Sequence, residues 1–411
     1  MAASTATSFG IFDADNHYYE PRDAFSRHLD PRFAERAIQV VTDQKTGKDT
    51  IFVAGRKHHF TPPTFELVPP PGHLKEMLKS HGEGTAASFL KPMRPEYQQR
   101  EARLAVMDAQ GVESVLLFPT FGVTVEHALR DDPEATFAAV GAFNRWLEED
   151  WGFGADGRIF GVPLLSLIDV ELAVAELERL LGRGARIVHL LAGPVLEPGS
   201  QGQRGRSPGD PHFDPVWSRL AEAEVPVAYH AAESGYNELV SAQWGHAPRP
   251  RSHHQSAWQN AFCFIDLPVM QTLAALVFDN VFGRFPKLEV ATIECGSAWV
   301  SYLLKRIDRA QLGCTSHSPW VGGRLGERAS DVFKAHVRVN PFPEEDHAEL
   351  FRWLGPEQLL FGSDWPHPEG IPEPRTYPDH LPEGTSDAAI RRMMRDNARE
   401  LLGLDRKRGA Q

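Results

Sequence analysis

Cysteine is scarce: Cys263, Cys295 and Cys314 are the only three in 411 residues, and none belongs to a CxxC pair. That excludes a disulfide framework and a thiolate zinc site, and it fits a reducing compartment. Long apolar runs are missing too. No 18 consecutive apolar residues occur, and Met1–Ser8 is too short and polar for a signal-peptide core. A cytoplasmic chain without membrane contact is therefore expected. Positive charge is in short supply, with 43 Lys plus Arg against 55 Asp plus Glu and a net charge of −12. Basic residues scattered through so acidic a chain argue against nucleic acid and leave a small molecule as the partner. Nor does a Gly-rich phosphate turn follow an early strand, which argues against a doubly wound nucleotide-binding sheet.

What is present is an ordinary globular balance, 42% apolar and 24% charged, with an unusual 18 histidines. The length alone suggests two or three domains, although α/β barrels run to 250 residues or more as one unit. Short runs of Val, Ile, Leu and Phe predict strands at Phe9–Asp15, Val112–Phe118, Ile159–Leu164, Arg186–Leu191, Val225–His230, Leu288–Glu294, His336–Asn340 and Leu359–Asp364. Helical patterns alternate with them, at Tyr97–Gln110, Pro133–Trp151, Val170–Leu181, Pro215–Glu224, Pro268–Phe285, Ala298–Leu312, Glu344–Leu354 and Asp387–Leu401. Eight strands alternating with eight helices predict an α/β fold, a (β/α)8 TIM-like barrel formed by residues 1–411 as a single domain. Residues 16–96 are too long for a βα loop and read as an insertion after strand one. In it Ala37–Thr42 and Thr50–Ala54 flank Gln44–Gly47 as a hairpin, and a Pro-rich loop follows. Gly193–Pro211, rich in Gly, Pro and Arg, reads as a loop over the barrel mouth.

Polar residues close several of these strands where apolar or turn residues would be ordinary. The first strand ends Asp13-Ala14-Asp15-Asn16-His17, and residues two apart share a face, so Asp15 and His17 can both enter the mouth. The fifth ends at His230, the sixth at Glu294 and the eighth at Asp364. One such residue is ordinarily a cap or a turn. Four at the same end of one barrel point to a divalent metal with N and O ligands.

The sequence resembles the amidohydrolase superfamily, in the amidohydrolase-related branch that includes aminocarboxymuconate-semialdehyde decarboxylase and the resorcylate decarboxylases. The resemblance runs from about Phe9 to Leu402. It rests on FDADNHYYEP at 12–21, RLAVMDAQGVESVLLFPT at 103–120, the His230 strand end, FPKLEVATIECGSAWVSYLLKRID at 285–308 and FGSDWPHPEG at 361–370. It implies Asp15, His17, His230 and Asp364 as metal ligands, with Asp15 in the first place of the family's usual His-x-His. It also implies that Glu294 occupies the sixth-strand place where relatives commonly use a proton-transferring His. One divalent ion is expected, zinc first, with manganese or iron also suited to the donors.

His367 can orient Asp364 or act on substrate. Arg338 and Asn340 share a face and, if it is inward, Arg338 can hold a carboxylate. His189 and Trp365 complete the substrate-facing candidates. Two reactions suit such a site. One is hydrolysis of an amide, ester or lactone by metal-activated water with Asp364 as general base. The other is decarboxylation of an aromatic or unsaturated acid. A +2 ion beside ionised Asp15, Glu294 and Asp364 leaves −1, which disfavours an anionic substrate and tips the reading to hydrolysis. A non-catalytic barrel is the reading from another class. A homodimer is expected, because the insertion and the segment after strand five offer surfaces for it.

Overall fold

Val112–Pro119 shows how these sequences make barrel strands: VESVLLFP is buried at every position but Glu113, as a strand covered on both faces must be. It pairs in parallel with Ile11–Tyr18 on one side and with Ile159–Gly161 on the other. A parallel bridge from Leu164 to His189 leads to the short fourth strand, Val188–His189. Val227–His230, Val290–Ile293 and Val337–Val339 follow, each parallel to the one before. An eighth extended segment, 359–365, bridges Val339 at Leu359 and returns to the first strand at Asn16 and Trp365. The ring is thus closed, the predicted barrel. The computed structural model describes residues 9–79, 87–200, 202–315 and 317–405. Met1–Ser8, the stretch read above as lacking a signal core, lies outside the described residues.

Inward-facing side chains fill the barrel. Phe12, Leu116, Phe160, Ala228, Ile293 and Leu360 form one buried cluster, closed below by Leu401 and Leu402 of the last helix. The outward strand faces pack on the helices in a second, larger core. Helices begin and end where local chemistry dictates. Asp132 and Asp169 cap Pro133–Asp150 and Val170–Gly182 by accepting backbone N–H groups. Gly111, at φ 71°, ends Arg100–Gln110 in the left-handed conformation.

Three readings are corrected. The helix predicted over Pro268–Phe285 breaks into Asp266–Phe278 and Val281–Arg284, because Asn280 turns left-handed at φ 55°. Ala329–His336 forms a helix where none was expected. The Gly193–Pro211 loop carries a short antiparallel ladder, Val195–Leu196 on Gly205–Arg206. The insertion hairpin lies where the turn residues put it: Ile38–Thr42 pairs with Asp49–Val53, and Asp43 accepts the N–H groups of Lys45 and Thr46 in the turn. Among the described residues one helical stretch, Ala257–Phe278, has the length and mean hydropathy (1.8) of a membrane span. Gln259, Asn260 and Asp266 interrupt it, and Val269, Leu273, Leu276 and Val277 pack into the main core.

Candidate metal centre

The first strand carries a β-bulge. Asp13 pairs with Val115 and Asn16 with Leu117, three steps against two, so the side-chain alternation changes phase between them. Phe12 and Ala14 fill the barrel below the bulge, whereas Asp15 and His17 join the mouth above it. Asp13 is turned to the eighth segment, where it accepts from the backbone N–H and the hydroxyl of Ser363. That locks the first strand to the segment that carries Asp364, and Asp364 N–H donates to Asp15 O at 2.8 Å. Gly362 is required between them: a Cβ there would lie 2.4 Å from Asp15 Cβ.

Asp15, His17, His230 and Glu294 present ligand atoms within 4.8 Å of one another, and His17, Asp364 and His367 form an overlapping set. The Nε2 atoms of His17 and His230 are 3.1 Å apart. Asp15 Oδ1 is 3.2 Å from the first and 3.5 Å from the second, and Glu294 Oε2 is 3.2 Å from His230 Nε2. His230 Nδ1 faces Ala231 O at 2.8 Å. A carbonyl can only accept, so Nδ1 carries a proton and Nε2 faces the cluster. Burial, helped by the nearby His367, brings His17 down to about 3, so it is neutral at pH 7. Two facing imidazole nitrogens among three carboxyls form a donor set for a divalent cation.

The acids differ in charge. Burial works against an ionised Asp15, yet hydrogen bonds from His17 and His230 hold it below the ordinary carboxylate range. Burial, then the neighbouring Asp364 and Asp15, pushes Glu294 well above that range. Asp364 is also raised, by burial and then by Glu369, Asp15 and Asp13. Both raised acids have left-handed backbones, φ 52° for Glu294 and 55° for Asp364, a costly conformation concentrated at this site. His367 Nδ1 lies 2.7 Å from Asp364 Oδ1, and its ring is 4.1 Å from that of His17. Thr120 donates its hydroxyl to Tyr18 O and so accepts from His367 Nε2 at 2.9 Å. With the Nε2 proton fixed, the contact between Nδ1 and Asp364 needs one more proton, shared by the pair.

Four sequence candidates stand elsewhere. Arg338 faces inward but downward: its guanidinium reaches Glu289, just before the sixth strand and away from the mouth, 3.5 Å away. Asn340 spends its amide on the backbone, accepting from Glu294 N–H and donating to Leu360 O, so it ties strands rather than meeting substrate. Trp365 turns outward onto the insertion, edge-on to Tyr97 with Arg103 4.4 Å above its ring. His189 is level with Ala228, one inward position below His230, and is sealed from solvent. The sequence reading missed Thr120, Asp13 and Glu369. Asp13 was masked by the bulge, Thr120 sits just past an apolar strand, and Glu369 lay unremarked inside the 361–370 motif.

Residues 57–404 match the amidohydrolase family. A crystallised amidohydrolase from Mycobacterium avium subsp. paratuberculosis K-10 is 40% identical, with a TM-score of 0.85 over 96% of this chain and 100% of that one. A 2,6-dihydroxybenzoate decarboxylase from Rhizobium is similar in fold at 18% identity, with a TM-score of 0.62 over 97% and 99% of the two chains. So is a dihydroxybenzoic acid decarboxylase from Polaromonas sp. JS666, solved with manganese and the inhibitor 2-nitroresorcinol. It is 16% identical, with a TM-score of 0.61 over 97% and 98%. No curated protein matches the chain.

Proposed function

The chain belongs to the amidohydrolase family of metal-dependent enzymes, and on that premise we propose that it is a carboxy-lyase, removing CO2 without oxidation from an aromatic or unsaturated carboxylic acid. The observation that carries this reading is the close contact of Asp364 with His367 beside Glu294 in a buried cluster of acids. Asp364 and His367 share a proton across 2.7 Å, and the ionised form of Glu294 is opposed by burial and by two neighbouring carboxyls. Hydrolysis needs a group that accepts a proton, whereas replacing CO2 on carbon needs one that donates. A buried carboxylic acid kept neutral is such a donor. Hydrolysis is favoured on charge only when all three carboxyls are ionised, and a retained proton removes that preference. The decarboxylases of similar fold add support.

Asp15, His17, His230 and Asp364 would hold the ion, for which zinc, manganese and iron all suit the mixed N and O donors. When bound, it supplies an anchor for the substrate carboxylate and a sink for its charge. His367 and Thr120 orient Asp364, and Asn340 fixes the backbone of Glu294. The bond between the ring or vinyl carbon and its carboxylate breaks and leaves its electron pair on carbon. Glu294 delivers its proton to that carbon, CO2 departs, and solvent returns a proton to Glu294.

Full-length protein loaded with Mn2+ or Zn2+ is to be assayed in D2O over a panel of hydroxybenzoates and unsaturated acids. CO2 release with deuterium at the vacated carbon is expected, and Glu294→Gln lowers kcat by about 10²–10⁴-fold. Cleavage of an amide, ester or lactone panel with no CO2 release would overturn the proposal in favour of hydrolysis.

A further inference from the structure

Arg103, the first residue of the RLAVMDAQGVESVLLFPT motif, is a cation sealed inside the protein, at 1% exposure. Burial brings it down to about 9, which still leaves it charged at pH 7. A charge taken out of water is costly unless partners replace its hydration. Among the described residues, the hydrogen bonds of this guanidinium reach no carboxylate. Its Nε donates to Glu96 O at 2.8 Å, its Nη2 to His17 O at 2.6 Å, and its Nη1 to the side-chain oxygen of Asn16. The ring centres of Trp365 and Trp151 lie 4.4 Å and 5.5 Å from the guanidinium carbon and add the attraction of their faces.

These three acceptors belong to parts of the chain that must agree if the metal centre is to form. Glu96 ends the insertion, Asn16 stands at the bulge of the first strand, and His17 is a ligand. A guanidinium can only donate, so Asn16 turns its oxygen to Arg103 and its amide nitrogen away. That nitrogen donates to Asp13 at 2.9 Å, and Asp13 accepts from Ser363 N–H at 2.9 Å, one residue before Asp364. A buried chain of hydrogen bonds, Arg103–Asn16–Asp13–Ser363, thus runs from the helix Arg100–Gln110 to both segments that carry acidic ligands. A bulge loosens the ladder around it, and at this one Arg103 supplies donors from outside the sheet. Three nitrogens of one flat fork meet three separate acceptors. The three N–H groups of a lysine sit on a single atom and cannot reproduce that pattern.

We propose that Arg103 is a positioning residue of the metal centre, whose fork fixes the bulge of the first strand and thereby turns Asp15 and His17 together toward the ion. It touches the backbone of His17 and no ligand side chain, so it acts only through the strand. The inference goes beyond the carboxy-lyase reading and holds for either reaction, because it concerns the placement of ligands and not the transfer of a proton. An arginine that merely stabilised the fold would lower the Tm of the metal-free protein and leave the metal affinity of the folded protein intact.

The test compares full-length wild type, Arg103→Lys and Arg103→Met, each freed of metal and held below its own Tm. Mn2+ affinity is read by competition with a fluorescent chelator. Co2+ is titrated in parallel, because its visible absorption band follows the arrangement of its ligands. Arg103→Lys keeps the charge and loses the fork, whereas Arg103→Met loses both and keeps an unbranched stem. Arg103→Lys is expected to bind Mn2+ about 10–100-fold more weakly, as when an outer partner of a ligand is lost, and to give an altered Co2+ band. Arg103→Met is expected to lose more, and should it fail to fold, Arg103→Lys decides the matter. Wild-type Mn2+ affinity with a wild-type Co2+ band in Arg103→Lys would overturn the proposal, even if its Tm were lower. Neither readout involves turnover. Ligand placement by Arg103 therefore survives if no acid releases CO2, and CO2 release with wild-type metal binding in Arg103→Lys sinks this inference alone.

Discussion

His367 acts through another residue. Its ring lies over His17, its Nδ1 holds Asp364 and its Nε2 is held by Thr120. Removing such an outer partner of a metal ligand ordinarily costs 10- to 100-fold in metal affinity. His367→Phe keeps a ring over His17 and removes both hydrogen bonds. Its Mn2+ affinity, read by competition with a fluorescent chelator, is expected to fall by about 10–100-fold. His367→Gln should recover part of the loss, because its amide can donate to Asp364. Wild-type affinity in His367→Phe would show that Asp364 needs no orientation. At this scale the sequence was legible wherever a strand end alone placed the residue: His230, Glu294 and Asp364 lie where alternation and strand length put them. Arg338 failed because alternation tells inward from outward but not up from down, and its guanidinium follows Glu289 toward the barrel floor. Trp365 failed because its partners, Tyr97 and Arg103, come from residues about 260–270 positions away, which no local pattern links to it.

Three strands meet at Asn340. Just past the seventh strand, it accepts from Glu294 N–H and donates to Leu360 O. Asn340→Ala leaves both backbone groups buried without these partners, a loss of about 1–3 kcal/mol per unsatisfied group. Urea unfolding of metal-free protein should show that loss as a lower midpoint with an unchanged slope. An unchanged midpoint would mean that water or a backbone shift replaces the amide. The bulge in the first strand belongs to the same level of organisation. Period-two alternation correctly pairs Asp15 with His17, yet it would put Asp13 on their face as well. One extra residue sends Asp13 to Ser363 instead. A bulge has no composition signature in DADNH, so its consequence is read from the ladder and not from the letters. Turn chemistry, by contrast, is local. Gln44–Gly47 therefore placed the insertion hairpin to within a residue.

Across the whole molecule, the metal cluster links ion binding to stability. Without an ion, Glu294 and Asp364 keep their protons well above the ordinary carboxylate range. A carboxyl whose folded-state pKa is raised stabilises the fold fully only below its unfolded value. That contribution is lost as pH rises through the folded one. Metal-free protein should therefore lose stability on passing from pH 5 to pH 8. The ion needs its ligand Asp364 ionised and the imidazoles neutral, so its affinity rises over the same interval. The two trends reinforce each other, and the Tm gained on adding metal should be larger at pH 8 than at pH 5. An ion present at a hundred times its Kd stabilises by about 2.7 kcal/mol, enough to read in a melting curve. Scanning calorimetry of chelator-treated protein with and without Mn2+ at the two pH values measures this directly. Asp364→Asn should abolish most of the pH-dependent part of the gain, since it removes both a ligand and one of the two raised acids. An equal gain at pH 5 and pH 8 would mean that the cluster's acids are ionised before the ion arrives, and Glu294 would then have no proton to give.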